Sequence, residues 1–194
     1  MDLNKEFWED IYASGQLGWD MGHVSPPLKA YIDQLNDKNI KILVPGAGNG
    51  HEVVYLFQQG FRNVFVADIA RRPLQNIKSK LPDFPREQLV EGDFFDFGLK
   101  DFDLVLEQTF FCALDSRLRE AYAKKMDHIL KLNGKLCGLL FDFPLSADGP
   151  PFGGSTSEYG ELFSPYFKIN ILERCTNSIE PRQGRELFFI FEKK

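Results

Sequence analysis

The chain has 194 residues, of which 43% are hydrophobic and 26% are charged, and its formal net charge is −5. These values are typical of a globular protein of ordinary size, so we expect residues 1–194 to form a single domain. The acidic balance argues against a nucleic-acid partner, which usually requires a basic face. No stretch is apolar and long enough to suggest a membrane span, and the polar, acidic N-terminus does not resemble a signal peptide.

The cysteines and histidines are few and scattered: Cys112, Cys137, Cys175, His23, His51 and His128. An odd number of cysteines without a C-x-x-C motif does not indicate a disulfide framework, and the histidines lack the spacing of metal ligands. We therefore expect a reduced, cytoplasmic protein without a metal site.

Residues 1–38 are expected to form a helix and a loop that fold as a lid over one edge of a sheet. From residue 39 onward, the apolar pattern alternates between strands and helices. We expect Asn49 to cap the first of these helices, Gly60 to stop it and Gly134 to end the third. In chain order, the predicted elements are strand 41–44, helix 49–59, strand 63–67, helix 72–80, strand 88–91, strand 102–107, helix 117–131, strand 135–143, helix 157–163 and a hairpin of 167–176 with 185–191.

This order of elements predicts an α/β fold, because alternating strands and helices build a parallel sheet covered on both faces. We predict a Rossmann-like three-layer sandwich over residues 39–194. Its seven-stranded sheet should be mostly parallel, with one antiparallel strand of the C-terminal hairpin inserted at an edge. Ligands of such sheets lie beyond the carboxyl ends of the strands.

A glycine-rich loop follows the first predicted strand and opens a helix. Gly46, Gly48 and Gly50 have the spacing G-x-G-x-G, and glycine allows both a sharp turn and a close approach of the backbone to a ligand. The dinucleotide motif is G-x-G-x-x-G, which argues against an NAD or FAD site, and no nucleotide P-loop is present. A turn that serves only packing is the alternative interpretation.

Polar residues follow the next three strands. Asp68 ends the second strand, where a carboxylate can accept hydrogen bonds from two ribose hydroxyls, although a helix cap would use the same residue. Asp93 and Phe94 follow the third strand and could contact an adenine ring, or could form a turn with a core aromatic residue. Glu107 ends the fourth strand.

Together, these strand ends resemble those of the class I S-adenosylmethionine-dependent methyltransferases. The acid that usually precedes the glycine loop in that class is replaced by Pro45. The loop Val-Pro-Gly-Ala-Gly-Asn-Gly at 44–50 is similar to that of the thiopurine S-methyltransferase family, which includes plant-type halide and thiol methyltransferases. Further similar segments follow in the expected order, at 18–22, 26–28, 91–95, 109–114 with Arg119 and Tyr122, 148–152 and 157–159.

The resemblance implies roles for individual residues. The glycine loop, Gly46, Gly48 and Gly50, would hold the methionine portion of S-adenosylmethionine, Asp68 its ribose, and Asp93 and Phe94 its adenine. Trp19 would lie against the cofactor from the lid, and Glu107, Thr109 and Phe110 would border the transferring methyl group. Tyr159 would face the acceptor, so Tyr159 and Phe110 are the candidate catalytic residues. The sequence departs from the family pattern in two places: Phe152 replaces a common tyrosine, and the pair Glu107-Gln108 replaces an Asp-containing pair.

The expected reaction is in-line transfer of a methyl group to a small, soft nucleophile such as a thiol, sulfide, halide or thiopurine-like sulfur. Such an anion needs no strong general base, and no histidine lies in the candidate acceptor loops. Tyr159 could position the nucleophile or could simply be a packed helix residue, and Cys112 is expected to be a small buried residue.

The alternative functions are a small-molecule O- or N-methyltransferase, a non-catalytic cofactor-binding module and an NAD-dependent oxidoreductase. We expect a monomer that acts on a small molecule.

Overall fold

The computed structural model describes residues 2–146 and 149–194. Its helices are α1 (Lys5–Ser14), α2 (Pro26–Ile32), α3 (His51–Gln58), α4 (Arg71–Lys80), α5 (Arg119–Ile129) and α6 (Thr156–Phe163). Its strands are β1 (Ile42–Pro45), β2 (Val64–Asp68), β3 (Leu89–Glu91), β4 (Phe102–Gln108), β5 (Leu130–Phe141), β6 (Phe167–Arg174) and β7 (Glu186–Lys193). Within these ranges, no helix has the length and apolar character needed to cross a membrane.

The seven strands form one sheet in the order β3-β2-β1-β4-β5-β7-β6. Strands β1 to β5 are parallel, and β7 is antiparallel to both of its neighbours. The prediction of a mostly parallel, seven-stranded sheet with an antiparallel hairpin strand is therefore confirmed. The antiparallel strand lies between β5 and β6, so β6 is the edge strand.

Apolar side chains cover both faces of the sheet. On one face, Tyr122 and Met126 of α5 and Phe163 of α6 belong to one buried cluster. On the other face, Val53 of α3 and Ile77 of α4 belong to a second cluster. The two clusters give the three-layer Rossmann-like sandwich that the alternation of elements predicts.

The helix predicted over 117–131 is shorter at both ends. The Asp115 carboxylate accepts a hydrogen bond from the Arg117 N–H at 2.8 Å and starts a 3₁₀ turn, so α5 begins only at Arg119. The helix ends at Ile129, and β5 begins at the next residue. Gly134 therefore lies within β5, where a Cβ atom would come within 2.8 Å of the Lys131 carbonyl oxygen. The glycine permits close backbone packing and does not end a helix.

The expected cap of α3 was also wrong. Gly50 occupies the cap position with a left-handed φ of 71°, and the Asn49 side chain bonds to Asp20 and Asn76 instead. Gly60 follows the end of α3 with a φ of 92°, as predicted. Asn49 therefore joins the loop after β1 to neighbouring segments.

Candidate active site

A large cavity of about 830 Å³ lies at the carboxyl edge of the sheet. Gly46 follows β1, Asp68 ends β2, Thr109 and Phe110 follow β4, and Phe141 ends β5; all of them line this cavity. Because β2 and β3 lie on one side of β1 and β5 lies on the other, the cavity has two distinct ends. Asp68 and Phe94 mark one end, and Phe141 marks the other.

The three glycines of the loop serve different purposes, although all have left-handed φ angles of 57°, 54° and 71° at Gly46, Gly48 and Gly50. Gly46 lines the cavity. Gly48 lines a small adjoining pocket together with Trp19 and Thr109. Gly50 lines neither pocket, and a Cβ atom there would lie 2.2 Å from Ile77 Cγ1. Gly50 is therefore required for the packing of the loop on α4.

Asp68 is a buried carboxylate at the cavity wall. Its side chain is 7% exposed and accepts a hydrogen bond from the Ala70 N–H at 2.9 Å. Burial raises the pKa of Asp68 to about 7, the N–H bonds from Ala70 and Gly48 oppose this shift, and the nearby Glu9 carboxylate adds to it. A buried carboxylate with few donors is stabilised by hydroxyl groups of a ligand.

The N-terminal segment, which contains α1 and Trp19, covers the Asp68 end of the cavity. Trp8 and Tyr12 lie one turn apart on α1, and the edges of both rings contact Trp19, with centroid distances of 5.8 and 5.7 Å. All three side chains line the cavity. The aromatic cluster thus forms one wall opposite the ends of β1 and β2.

Polar contacts attach this segment to the sheet edge. Asp20 bonds to Asn49 and to His51 Nε2, the latter at 2.7 Å. Glu91, at the end of β3, bridges Lys5 of α1 at 2.5 Å and Arg71 of α4 at 3.1 Å. Because α1 has no buried residue, these polar contacts and the aromatic cluster hold it in place.

Asp93 and Phe94 lie together after β3, as the sequence indicates. The Asp93 carboxylate accepts a hydrogen bond from the Phe95 N–H at 2.8 Å, so one of its oxygens stabilises the turn. Phe94 is 5% exposed, and its ring meets the edge of Phe110 at a centroid distance of 5.2 Å. Phe94 and Phe110 thus form an apolar wall at the Asp68 end of the cavity, and the exposed Asp93 carboxylate lies beside this wall.

Glu107 does not reach either pocket. It is fully buried, and its carboxylate accepts a hydrogen bond from the Phe111 N–H at 2.9 Å. Burial raises its pKa to about 7. Glu107 therefore supports the turn after β4, in which Thr109 has a φ of 62° and Phe110 faces the cavity.

Tyr159 also lies outside the cavity lining. Its side chain is 1% exposed, and its hydroxyl donates a hydrogen bond to the Phe141 carbonyl oxygen at 2.8 Å. Burial raises the pKa of Tyr159 far above its usual range. This arrangement matches a packed helix tyrosine: the Tyr159 hydroxyl supports Phe141 at the cavity wall, and the ring packs against Phe111 with a centroid distance of 5.9 Å.

Cys112, which lies in the turn after β4, is hydrogen-bonded to the loop that contains Phe152. The Phe152 N–H donates to the Cys112 carbonyl oxygen at 2.7 Å, and the Cys112 thiol donates to the Thr109 carbonyl oxygen at 3.0 Å. Burial raises the pKa of the Cys112 thiol well above its usual value, which disfavours the thiolate form that acts as a nucleophile. Asp148, the first residue of the similar segment 148–152, lies outside the described residues.

Several lining residues were not identified from the sequence. Phe141, Phe143, Arg182 and Arg185 line the end of the cavity opposite Asp68. Their chain positions, at and just after the end of β5 and between β6 and β7, carry no motif. Trp8 and Tyr12 could have been found from their i, i+4 spacing on α1, which places both rings on one helical face. In the described part of the chain, no group of three or more His, Cys, Asp and Glu side chains is placed to hold a metal ion.

The sheet order, the left-handed glycine loop and the buried carboxylate at the end of β2 match the arrangement that the sequence resemblance to the class of S-adenosylmethionine-dependent methyltransferases implies. A family model described as thiopurine S-methyltransferase matches residues 3–193. Because this match spans nearly the whole sequence, the chain belongs to the thiopurine S-methyltransferase family.

Curated relatives agree with this assignment. The chain is 30% identical to a probable thiol methyltransferase 2 of Arabidopsis thaliana, covering 92% of this chain and 81% of the relative. It is 31% identical, with the same coverage, to thiocyanate methyltransferase 1 of Brassica oleracea. A thiopurine S-methyltransferase of Vibrio parahaemolyticus is 28% identical, over 84% of this chain and 83% of the relative.

Solved structures support the fold. A Burkholderia thailandensis 1,6-didemethyltoxoflavin N1-methyltransferase, crystallised with bound 1,6-didemethyltoxoflavin and S-adenosylhomocysteine, superposes with a TM-score of 0.77 at 18% identity, covering 98% of this chain and 87% of that one. A TehB-like methyltransferase from Corynebacterium glutamicum gives a TM-score of 0.68 at 19% identity, covering 97% and 95%. At this level of identity, the similarity shows the Rossmann-like fold alone.

Proposed function

We propose that the protein transfers the methyl group of S-adenosylmethionine to a small, soft nucleophile: a thiol, sulfide or thiopurine-like sulfur, or a halide. We place the acceptor at the Phe141 end of the cavity, which we call the acceptor end. The observation that carries this proposal is that the described lining residues include no histidine, lysine or glutamate, and that their carboxylates are limited to Asp2, Asp68, Asp93 and Asp115, of which Asp68 and Asp93 lie at the opposite end. Asp115 is the lining carboxylate nearest in sequence to the turn after β4, and Arg117 lies 2.7 Å from it. Hydrogen bonds from Arg117 lower the pKa of Asp115 to about 2, which makes it a poor base.

The described residues fit S-adenosylmethionine. We assign the ribose to the buried carboxylate of Asp68, the adenine to the wall of Asp93 and Phe94, and the methionine portion to the backbone at Gly46 and Gly48. Gly50 contributes by shaping the loop. When bound, this cofactor would supply a methyl group activated by a sulfonium. In an in-line displacement the methyl group goes to the acceptor, and the former sulfonium sulfur is the leaving group.

The remaining residues align the reactants and exclude water. Trp19 and Thr109 border the methyl region, and Phe110 presents an aromatic ring, which suits a sulfonium as it suits other cations. Glu107 positions Phe110 by holding the turn after β4. Tyr159 positions Phe141, and residues 1–38 act as the lid over this single domain. Alignment of this kind supplies several kcal/mol, up to roughly 7–11 kcal/mol in favourable cases.

We further propose that the protein is a cytoplasmic monomer whose partner is a small molecule and not a nucleic acid or a membrane. The net charge of −5 supports the exclusion of nucleic acid. Light scattering at two protein concentrations tests the monomer: a mass that grows with concentration would contradict it.

An acceptor panel tests the proposed function. The purified protein is incubated with S-adenosylmethionine and, separately, iodide, bisulfide, thiocyanate, an aromatic thiol and a thiopurine, and S-adenosylhomocysteine is quantified. Matched phenol and aniline analogues of the aromatic thiol serve as controls for the O- and N-methyltransferase alternatives. We expect product with at least one soft nucleophile and none with the analogues. Turnover of a phenol or aniline alone would contradict the proposal.

A further inference from the structure

Arg182 is a buried cation in the wall of the cavity. It is 9% exposed and belongs to the segment between β6 and β7. Its Nη1 atom lies 3.1 Å from Glu186 Oε1, and its Nη2 atom donates to the Trp19 carbonyl oxygen at 2.8 Å. Its guanidinium carbon lies 5.7 Å from the centroid of the Phe141 ring. One side chain thus joins the lid, the end of β5 and the start of β7.

These contacts leave part of the guanidinium available. The group carries five N–H donors, and the named bonds to Glu186 and Trp19 use two of them. Glu186 is 2% exposed and does not line the cavity, whereas Arg182 does. The Glu186 carboxylate therefore stabilises the guanidinium from outside the cavity, and the guanidinium is the group of this pair that a ligand in the cavity contacts.

The other lining arginines are less suited to hold an anion. Arg117 has a side chain that is 85% exposed and already paired with Asp115. Arg185 is exposed, so water screens its charge. Coulomb interactions strengthen as the surroundings lose water, which favours the buried Arg182.

The charge of Arg182 also influences the pKa of two other buried groups. Burial raises the pKa of Glu52 and of the Cys112 thiol, and the Arg182 charge opposes both shifts. Cys112 lies in the turn after β4, beside Phe110. The charge of Arg182 therefore acts on buried groups of both α3 and the turn after β4.

We propose that Arg182 binds the acceptor in its anionic form, as a thiolate or another soft anion held against the guanidinium at the Phe141 end of the cavity. This inference rests on the proposed function. A thiol acceptor releases its proton to bulk water before it binds, so no protein base is needed. The acceptor sulfur forms its bond to the methyl carbon as the bond from that carbon to the sulfonium breaks, with the electron pair kept by the former sulfonium sulfur. The anion thereby becomes a neutral methylated product, which the guanidinium no longer attracts.

Binding of thiocyanate to the protein saturated with S-adenosylhomocysteine tests this assignment without turnover. Calorimetry is performed on the original protein, on Arg182→Gln and on Glu186→Gln. Loss of a charge-assisted hydrogen bond worth about 1.5–3 kcal/mol corresponds to roughly a 10- to 100-fold rise in Kd for Arg182→Gln. Glu186→Gln removes the negative charge that is paired with Arg182 but keeps an oxygen acceptor for Arg182 Nη1, so the Kd of this variant should fall or stay unchanged. If both variants weakened thiocyanate binding equally, the ion pair would be purely structural and the proposal would be wrong.

Two further variants complete the design. Arg62→Gln removes an arginine that bonds to the Phe57 carbonyl oxygen, and it should not change thiocyanate binding. Arg182→Lys keeps the charge without the planar fork, and it replaces Arg182→Gln if thermal unfolding shows that the glutamine variant does not fold. We expect Arg182→Lys to bind thiocyanate more weakly than the original protein and, where both fold, more tightly than Arg182→Gln. Unchanged binding would overturn the proposal.

Turnover separates this inference from the proposed function. If the original protein formed no product with any soft acceptor, the proposed function itself would fail. If it turned over thiocyanate and bisulfide and Arg182→Gln had the same kcat/KM for both, only the role of Arg182 would fail. We expect a lower kcat/KM with both anions, together with an affinity for S-adenosylhomocysteine within about threefold of the original, since that change is under 1 kcal/mol.

Discussion

The ring of Phe110 lies directly against the backbone of Gly46. A Cβ atom added at Gly46 would come within 2.3 Å of Phe110 Cδ2, and the φ of Gly46 is 57°. The turn after β4 therefore closes on the loop after β1, where we place the methionine portion of the cofactor. Any side chain at position 46 must displace the aromatic ring that faces the methyl region.

The first prediction concerns Gly46→Ala. We expect this variant to fold but to bind S-adenosylhomocysteine at least about tenfold more weakly, because the methyl group displaces Phe110 and shifts the loop. Calorimetry measures the affinity. Gly60→Ala is the matched control: Gly60 also has a left-handed φ, of 92°, but nothing lies within 4 Å of its added Cβ atom. Equal affinity losses in the two variants would mean that backbone strain, and not the contact with Phe110, is responsible.

The second prediction concerns the pH dependence of cofactor binding through Asp68. Its pKa of about 7 in the ligand-free protein means that hydroxyl donors of a ribose bind best once the proton is lost. We expect the Kd for S-adenosylhomocysteine to rise as the pH falls below 7, by up to about tenfold per unit, and to be constant above pH 8. Asp68→Asn should bind weakly at every pH. An unchanged pH profile in this variant would remove Asp68 from the ribose site.

The stability of the ligand-free protein gives an independent check on the same residue. Between the unfolded pKa of 3.8 and the folded pKa of about 7, the folded protein holds a proton that the unfolded chain has lost. The free energy of unfolding therefore falls as the pH rises through this window, by up to roughly 4 kcal/mol. Asp68→Asn lacks this loss, so its stability relative to the original protein should increase from pH 5 to pH 8. A constant difference would show that the carboxyl is not protonated.

The third prediction concerns Tyr159→Phe. The variant loses the hydrogen bond to the Phe141 carbonyl oxygen, which corresponds to a loss of about 1 kcal/mol in the free energy of unfolding. Because Phe141 lines the acceptor end, we expect a higher KM for the acceptor and little change in cofactor affinity. Urea unfolding and steady-state kinetics measure the two effects. A large fall in kcat with KM unchanged would instead support a direct catalytic role for Tyr159.

The fourth prediction concerns the bridge between the lid and the sheet edge. Glu91→Gln removes the carboxylate shared by Lys5 and Arg71, which are exposed enough for salt to screen them. We expect a modest, severalfold weakening of cofactor binding at low ionic strength that disappears in about 1 M salt, where the screening length is only about 3 Å. Glu120→Gln, which breaks the exposed pair with Lys124 on α5, is the control. A loss that persists at high salt would contradict an electrostatic attachment of the lid.

The sheet and the strand ends were predictable because their signals are local. Apolar runs marked the strands, and Asp68 and Asp93 followed β2 and β3 at the edge where the cavity lies. The helix over 117–131 was placed correctly but was too long, because the competing hydrogen bond of Asp115 and the early start of β5 depend on tertiary contacts. Asn49 has the chemistry of a helix cap, but Asp20 and Asn76 compete for its side chain.

The acceptor end was not predictable from local patterns. Arg182 reaches Trp19 across 163 positions of the chain, and no spacing rule links the two residues. Tyr159 lies in a segment whose sequence resembles an acceptor-facing one, yet its hydroxyl is bonded to the backbone of β5. These positions are set by how the sheet edge packs, which only the folded arrangement reveals.

The proposed function requires the methyl group to reach sulfur, and an aromatic ring that carries both a thiol and a phenol tests this requirement most directly. The protein is incubated with S-adenosylmethionine labelled with carbon-13 at the methyl group and with 4-mercaptophenol, and the product is examined by carbon-13 NMR. S-methyl and O-methyl carbons have well-separated chemical shifts. We predict a single S-methyl product formed together with S-adenosylhomocysteine. A labelled O-methyl product would contradict the assignment of the protein to sulfur acceptors.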